Sequence, residues 1–192
     1  MSSLLLETGS AFSLDDALLM KLSSLNKHVK MERDAEGNLL IMSPSGTKTS
    51  FFQSEITAEL RNWNKKYKAG RVSDSQAGFT LQDSSVRSPD AAWVSKERWN
   101  ALTIEQQEGF APLCPEFVVE VLSPSDSLPE HFRKMEMWMN QGALLGLLID
   151  PAKKTYCVYR PDAESLQIDF SVPFSGDPVL PGFVLELGGI EY

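Results

Sequence analysis

The chain has 192 residues, 42% of them hydrophobic, enough apolar side chain for one substantial core and close to the usual length of a single domain. Its 18 Lys+Arg against 26 Asp+Glu give a formal net charge of −8, which speaks for solubility and against general adhesion to nucleic acid or anionic membrane. Any nucleic-acid partner therefore needs a local basic patch.

No run approaches the roughly 18 apolar residues of a membrane span, and residues 1–10 (MSSLLLETGS) show no basic leader. Cys114 and Cys157 lack metal-type spacing, so buried free thiols, a cytoplasmic location and no membrane partner are expected. In chain order, the first helical period starts near Ser13, a cap with Asp16 at the capping-box position, and sets Leu14, Leu18, Leu22 and Leu25 on one face. Residues 29–43 predict two short strands around a Glu36-Gly37-Asn38 turn, since Gly and Asn tolerate positive φ. After Pro44 and Gly46, the spacing of Phe52, Ile56, Leu60 (or Glu59), Trp63 and Tyr67 predicts a helix over residues 49–68, closed by Gly70. Strands are expected at residues 78–81 and 90–94, either side of a polar turn with Asp83, Ser84 and Ser85, followed by an irregular, partly helical connection to Pro115.

Residues 116–122 (EFVVEVL) are nearly continuously apolar between two prolines, the pattern of a central strand. A helix over residues 129–141 stops at Gly142, a strand follows at 143–149 before the Asp150-Pro151 turn, and further strands are expected at 155–159 and 166–172. With no repeat, low-complexity linker or change of composition, residues 1–192 read as one domain.

The chemical anomaly is Glu120, a carboxylate inside the most hydrophobic strand, where burial is costly unless a cation, donors or water compensate it. Asp90 opens an earlier strand after Pro89. Two carboxylates converging from neighbouring strands offer hard oxygen ligands for Mg²⁺ or Mn²⁺, an ion that polarises a scissile phosphate and acidifies an attacking water. The alternative is structural: Glu120 pairs with Arg87 or Arg133, and Asp90 merely begins its strand. His28 and His131 are the only histidines, which excludes a histidine-rich metal centre; His131 reads as a cleft residue or as a surface or helix-start residue. There is no P-loop or Gly-x-Gly-x-x-Gly loop, and Ser123 has no nucleophile-elbow setting.

The order of Met42-Ser43-Pro44, Arg87-Ser88-Pro89-Asp90 leading into Ala91-Ala92-Trp93-Val94, residues 115–124 (PEFVVEVLSP), Lys134, Trp138 and Leu148-Ile149-Asp150-Pro151 resembles the Uma-type (DUF820-like) restriction-endonuclease-like family of the PD-(D/E)XK nuclease superfamily, over residues 13–182. The resemblance implies an α/β restriction-endonuclease-like sandwich, a mixed central β-sheet flanked by helices with an N-terminal helix and hairpin. It implies a Mg²⁺- or Mn²⁺-dependent endonuclease acting on DNA. Asp90 and Glu120 match the metal-binding acids, and the Val121 carbonyl is a further ligand of the same kind. Leu122 stands where the superfamily carries its catalytic Lys, and Lys134 matches the family's relocated lysine. By spacing alone Lys134 sits on the flank of the Phe132, Met135, Met139 stripe and reads as a solvated surface residue. Glu32 matches an acid near the family's first hairpin and is either another carboxylate of the site or an exposed hairpin charge. Family members often carry a His or Asn early in the second helix, where this chain has Thr49, Ser50 and Gln53. That departure favours the alternative of an inactive nuclease-fold module that binds nucleic acid or protein. Hydrolysis of a small phosphodiester is a third reading.

The local basic patch is Arg61, Lys65, Lys66, Lys68 and Arg71, with Arg61, Lys65 and Lys68 on one helical stripe suited to phosphate contacts. Cations at a helix C-terminus are equally favoured by the macrodipole alone. Trp63 and Tyr67 are assigned to the core. Beyond Pro161 the tail carries six acidic residues and no Lys or Arg, so it is expected to face away from DNA or to join a subunit interface, and a homodimer is compatible with this architecture.

Overall fold

The computed structural model describes residues 3–9 and 12–192; residues 1, 2 and 10, part of the run read for a leader, and residue 11 lie outside it. Strand β1 (Ser3–Leu6) comes first, then α1 (Asp16–Leu25) and the hairpin of β2 (Lys30–Arg33) and β3 (Leu39–Met42). The cap of α1 is Asp15, whose carboxylate accepts the Leu18 N–H at 2.8 Å, and not Ser13. Leu14 is buried ahead of the helix rather than in its stripe, and α1 buries Leu19 while Leu25 is 71% exposed. The start is fixed there because Asp16, one residue inside, pairs with Arg33 at 2.6 Å.

The hairpin alternates cleanly, as a two-residue period requires. Met31, Leu39 and Ile41 pack with Leu14, Leu19 and Val86 beneath α1, and Lys30, Glu32, Leu40 and Met42 face the opposite way, into a cleft. Helix α2 (Thr47–Tyr67) ends on Lys68 in the left-handed region, φ 51°, rather than on Gly70. Gly70 belongs instead to β4 (Gly70–Asp74), where a Cβ would collide with the Val94 carbonyl and the Trp93 indole. The polar turn of Asp83, Ser84 and Ser85 joins β5 (Phe79–Thr80) to β6 (Val86–Arg87), two short strands of the hairpin's sheet; β7 (Ala91–Ser95) departs into the other sheet.

The connection then forms α3 (Lys96–Asn100) and α4 (Ile104–Glu108), followed by β8 (Phe117–Val121), α5 (Leu128–Asn140), β9 (Leu145–Asp150), β10 (Thr155–Tyr159) and β11 (Leu166–Asp169). Strands β12 (Phe174–Ser175) and β13 (Val184–Leu185) close the chain with a 3-10 turn. The small sheet runs β1-β3-β2-β6-β5, antiparallel throughout. The large sheet runs β11-β10-β9-β8-β7-β4 and is mixed: β8 and β9 are parallel, with α5 as the crossover that parallel neighbours need.

Helices cover both faces of the large sheet. Phe52, Ile56, Leu60 and Trp63 of α2 pack on one, sealed by Phe170, Phe174, Phe183 and Leu187 of the tail. Met135 and Trp138 of α5 pack on the other with Val118 and Leu122. The acidic tail is therefore part of the core through its apolar residues. Tyr67 is 46% exposed, against the expectation for it, because α2 has reached the sheet margin. Cys114 is buried and Cys157 half-buried, both as free thiols. Among the described residues no helix is long and apolar enough to cross a membrane.

Candidate active site

Antiparallel β7 and β8 pair Ala91 with Val119 and Ala92 with Val118, and one further step of that register sets Asp90 opposite Glu120. Asp90 is anchored by its backbone N–H on the Val119 carbonyl at 3.0 Å, and its Oδ2 accepts the Val121 N–H at 2.8 Å. Oδ1 of Asp90 has no donor among the described residues. Residues opposite one another on paired strands share a face, so both acids lie on the α5 side.

Glu120 is 1% exposed, and α5 compensates it. Lys134 and Trp138, one helical turn apart on one face, bring an ammonium within 2.8 Å of both carboxylate oxygens and an indole N–H to Oε1 at 2.9 Å. A buried ion pair survives only when its remaining lone pairs are also satisfied, and the indole does that here. The expected structural partners of Glu120 are elsewhere: Arg133 lines the cleft, and Arg87 binds Glu32.

Glu32 is buried at 2% exposure, which removes the exposed-charge reading. It accepts the Ser88 N–H at 3.0 Å and pairs with Arg87 at 3.3 Å and Lys30 at 3.7 Å; Lys30 also donates to the Ser88 carbonyl at 2.9 Å. The Ser88-Pro89-Asp90 entry to β7 is thereby tied to the hairpin.

Burial raises the Glu120 carboxyl; Lys134 pulls it down and the Asp90 charge pushes it up, and the net direction is upward. Burial opposes the Lys134 ammonium, but Glu120, Glu32 and Asp90 overcome it and raise its pKa, so the lysine stays charged. Burial also pushes Glu32 up, yet Lys134, Lys30, Arg87 and the Ser88 amide prevail and hold it below the ordinary carboxylate value. Burial lowers His131, aided by Lys134 and opposed by Glu120 and the Ser127 carbonyl, so the imidazole beside Asp126 is neutral at neutral pH.

Lys30, Glu32, Arg87, Asp90, Glu120, His131, Arg133 and Lys134 all line one cleft of about 360 Å³ at the junction of the two sheets, with Leu40, Met42 and Met137 on its walls. A wider groove of about 1130 Å³ between α2 and the tail contains none of the predicted site residues. Arg61 and Lys65 of α2 and Lys68 at its C-cap are exposed, across the large sheet from the cleft, and are not brought to it.

Among the described residues no three His, Cys, Asp or Glu side chains are grouped to hold a metal ion. Two carboxylates and a carbonyl are nonetheless a sufficient protein share for Mg²⁺, which keeps several waters. Asp90 with its unshared Oδ1, Glu120 and the Val121 carbonyl could supply that share, while Glu32 is committed to its cations. Lys30 and the Trp138 contact were not anticipated from the sequence. The signals were there: Lys30 and Glu32 share a strand face at two-residue spacing, and Lys134 and Trp138 share a helix face.

A family model described as "Putative restriction endonuclease", Uma2, matches residues 15–188. The fold is similar to the crystal structure of a "putative nuclease belonging to DUF820" from Anabaena variabilis, with a TM-score of 0.69 and 22% identity over 82% of this chain and 87% of that one. At that identity the likeness carries the fold. No curated protein shows a match.

Proposed function

The chain belongs to the Uma2 family, and from that premise we propose that its cleft is the active site of a divalent-cation-dependent endonuclease hydrolysing phosphodiester bonds in DNA. The observation that carries the reading is the convergence of Asp90, Glu120 and Lys134, from three separate elements, on one open cleft. Asp90, Glu120 and the Val121 carbonyl would hold Mg²⁺ or Mn²⁺, which when bound supplies Lewis-acid polarisation of the phosphate and a more acidic water. Lys134 places a permanent positive charge beside the reacting phosphate, where charge accumulates in the transition state. Glu120 keeps that ammonium fixed, so little reorganisation is needed during reaction. Glu32 acts through Lys30, Arg87 and Ser88, which position the Asp90 turn, rather than as a ligand. The free thiols support a reducing compartment such as the cytoplasm.

The test is nicking of supercoiled plasmid with Mg²⁺ or Mn²⁺. Nicking by the wild type and its loss in Asp90→Ala support the proposal; undiminished nicking by the variant overturns the mechanism. A second reading, a nuclease-fold module that binds without cutting, is favoured by one observation: both Glu120 oxygens already have protein donors. Calorimetry with Mn²⁺ separates the two, since such a module need not take up an ion.

A further inference from the structure

The face of the small sheet that carries Glu32 does not end at the ionic cluster. Register aligns a cross-strand row on it: Arg87 of β6 beside Glu32 of β2, then Leu40 of β3, then Leu5 of β1. With strands about 4.8 Å apart, the row runs roughly 14 Å from guanidinium to exposed leucine. Met42 lies beside Leu40 on the same face, and Met137 of α5 looks onto the cleft from the opposite wall. Leu40, Met42 and Met137 are half-buried, and Leu5 is 48% exposed. An apolar strip thus leads directly out of the ionic cleft to the sheet edge.

Resting on the reading of the cleft as the site of phosphodiester cleavage, we propose that the strand to be cut is unpaired there, its bases lying on the strip formed by Leu40, Met42 and Leu5 with Met137 opposite. Duplex DNA shows a protein its phosphates, sugars and base edges, while its base faces are stacked away inside. Phosphates laid against a strip of leucine and methionine would lose hydration with nothing to replace it. Unpaired bases expose their faces, and strands are held without sequence reading by packing those faces on side chains, most often aromatic, beside a basic track for the phosphates; here leucine and methionine supply the packing surface. Methionine sulfur adds polarisable contact with aromatic rings. Continuity decides the occupant: the strip begins one strand from Glu32, and Arg133, exposed at the cleft, lies beside it for the backbone phosphates.

The experiment measures fluorescence anisotropy of a labelled single-stranded oligonucleotide and of a hairpin duplex of the same sequence, with the full chain and Ca²⁺ as the ion. The unpaired strand is expected to bind about tenfold tighter than the duplex, a loss of roughly fivefold or more is expected in Leu40→Ser and Leu5→Ser for the strand only, and Leu5→Phe should tighten it. Leu5 lies exposed on an edge strand, so its two variants keep the fold and still report if Leu40→Ser unfolds. Equal affinity for both forms, with no effect of the Leu5 variants, overturns the proposal. So does a dimer that Leu5→Ser dissociates without change in oligonucleotide affinity, which would make the strip a contact between copies. Strand preference with the predicted losses but no hydrolysis in Mg²⁺ or Mn²⁺ supports the strip and removes the nuclease reading. Hydrolysis of duplex without preference does the reverse.

Discussion

Replacing Lys134 by Met keeps most of the side chain's volume and removes only the charge. Glu120 is then left with the Trp138 indole as its single donor among the described residues, inside a strand with no exposed member. Breaking a buried ion pair by deleting one partner costs about 3–5 kcal/mol when the survivor stays charged. For a chain of this length a loss of about 3 kcal/mol lowers the melting temperature by roughly 6–12 °C. The survivor has an escape, because burial already raises the Glu120 carboxyl and loss of Lys134 removes the largest opposing influence. A carboxyl whose pKa is raised on folding binds protons in the folded state. Its favourable share is complete below the ordinary value of about 4.5 and is lost as pH rises through the raised one. Lys134→Met should therefore be close to wild type near pH 5 and increasingly less stable toward pH 8, with Glu120→Gln in the same chain restoring most of the loss. Urea unfolding at several pH values, run as a double-mutant cycle, measures both. A pH-independent difference, or no rescue by Glu120→Gln, would refute the claim that the ammonium supports this carboxylate.

Glu32→Gln should act in the opposite direction. The Glu32 pKa is lowered on folding, so its contribution is present above the ordinary carboxylate range and lost as pH falls through the depressed value; the stability gap between wild type and variant should therefore shrink on acidification. A gap that grows toward low pH contradicts it. Mn²⁺ affinity should rise with pH as Glu120 gives up its proton, with proton release visible when calorimetry is repeated in buffers of different ionisation enthalpy; affinity flat across that range removes Glu120 from the donor set. Replacing Arg61, Lys65 and Lys68 together should weaken oligonucleotide binding less than Arg133→Ala, because the stripe lies across the sheet from the cleft. The reverse order in anisotropy would relocate the nucleic-acid surface to α2.

Much of the architecture could be read from pattern because burial is repetitive. The apolar run of residues 116–122 is the central β8 with every residue of the strand buried, and the period of α5 gave its ends to within a residue or so. What escaped lacked such a signal. β4 reads Gly-Arg-Val-Ser-Asp and exists because β7 templates it along five residue pairs. β5 and β6 are two residues each, below the length at which alternation can be recognised. Asp15 and Ser13 are equally good caps in isolation, and the Arg33–Asp16 pair decided between them.

The site divides in the same manner. Glu120 stood out because a carboxylate in an apolar strand demands compensation, yet the sequence did not say what supplies it. Lys134 lies on the flank of its helix, where spacing alone leaves it in solvent; only the family resemblance placed it near Glu120, and in the structure its ammonium sits on that carboxylate. Glu32 was ambiguous because a four-residue strand with two charged faces offers no amphipathic direction; the sheet's position against α5 buries one face.

The most direct measurement is anomalous scattering from crystals of the chain soaked in Mn²⁺. A single strong peak within coordination distance of Asp90 Oδ1 and a Glu120 oxygen, with Lys134 still beside Glu120, is the predicted result. A fully occupied lattice of side chains there, with Glu120 held only by Lys134 and Trp138 and no Mn²⁺ at Asp90 at saturating concentration, would contradict the account.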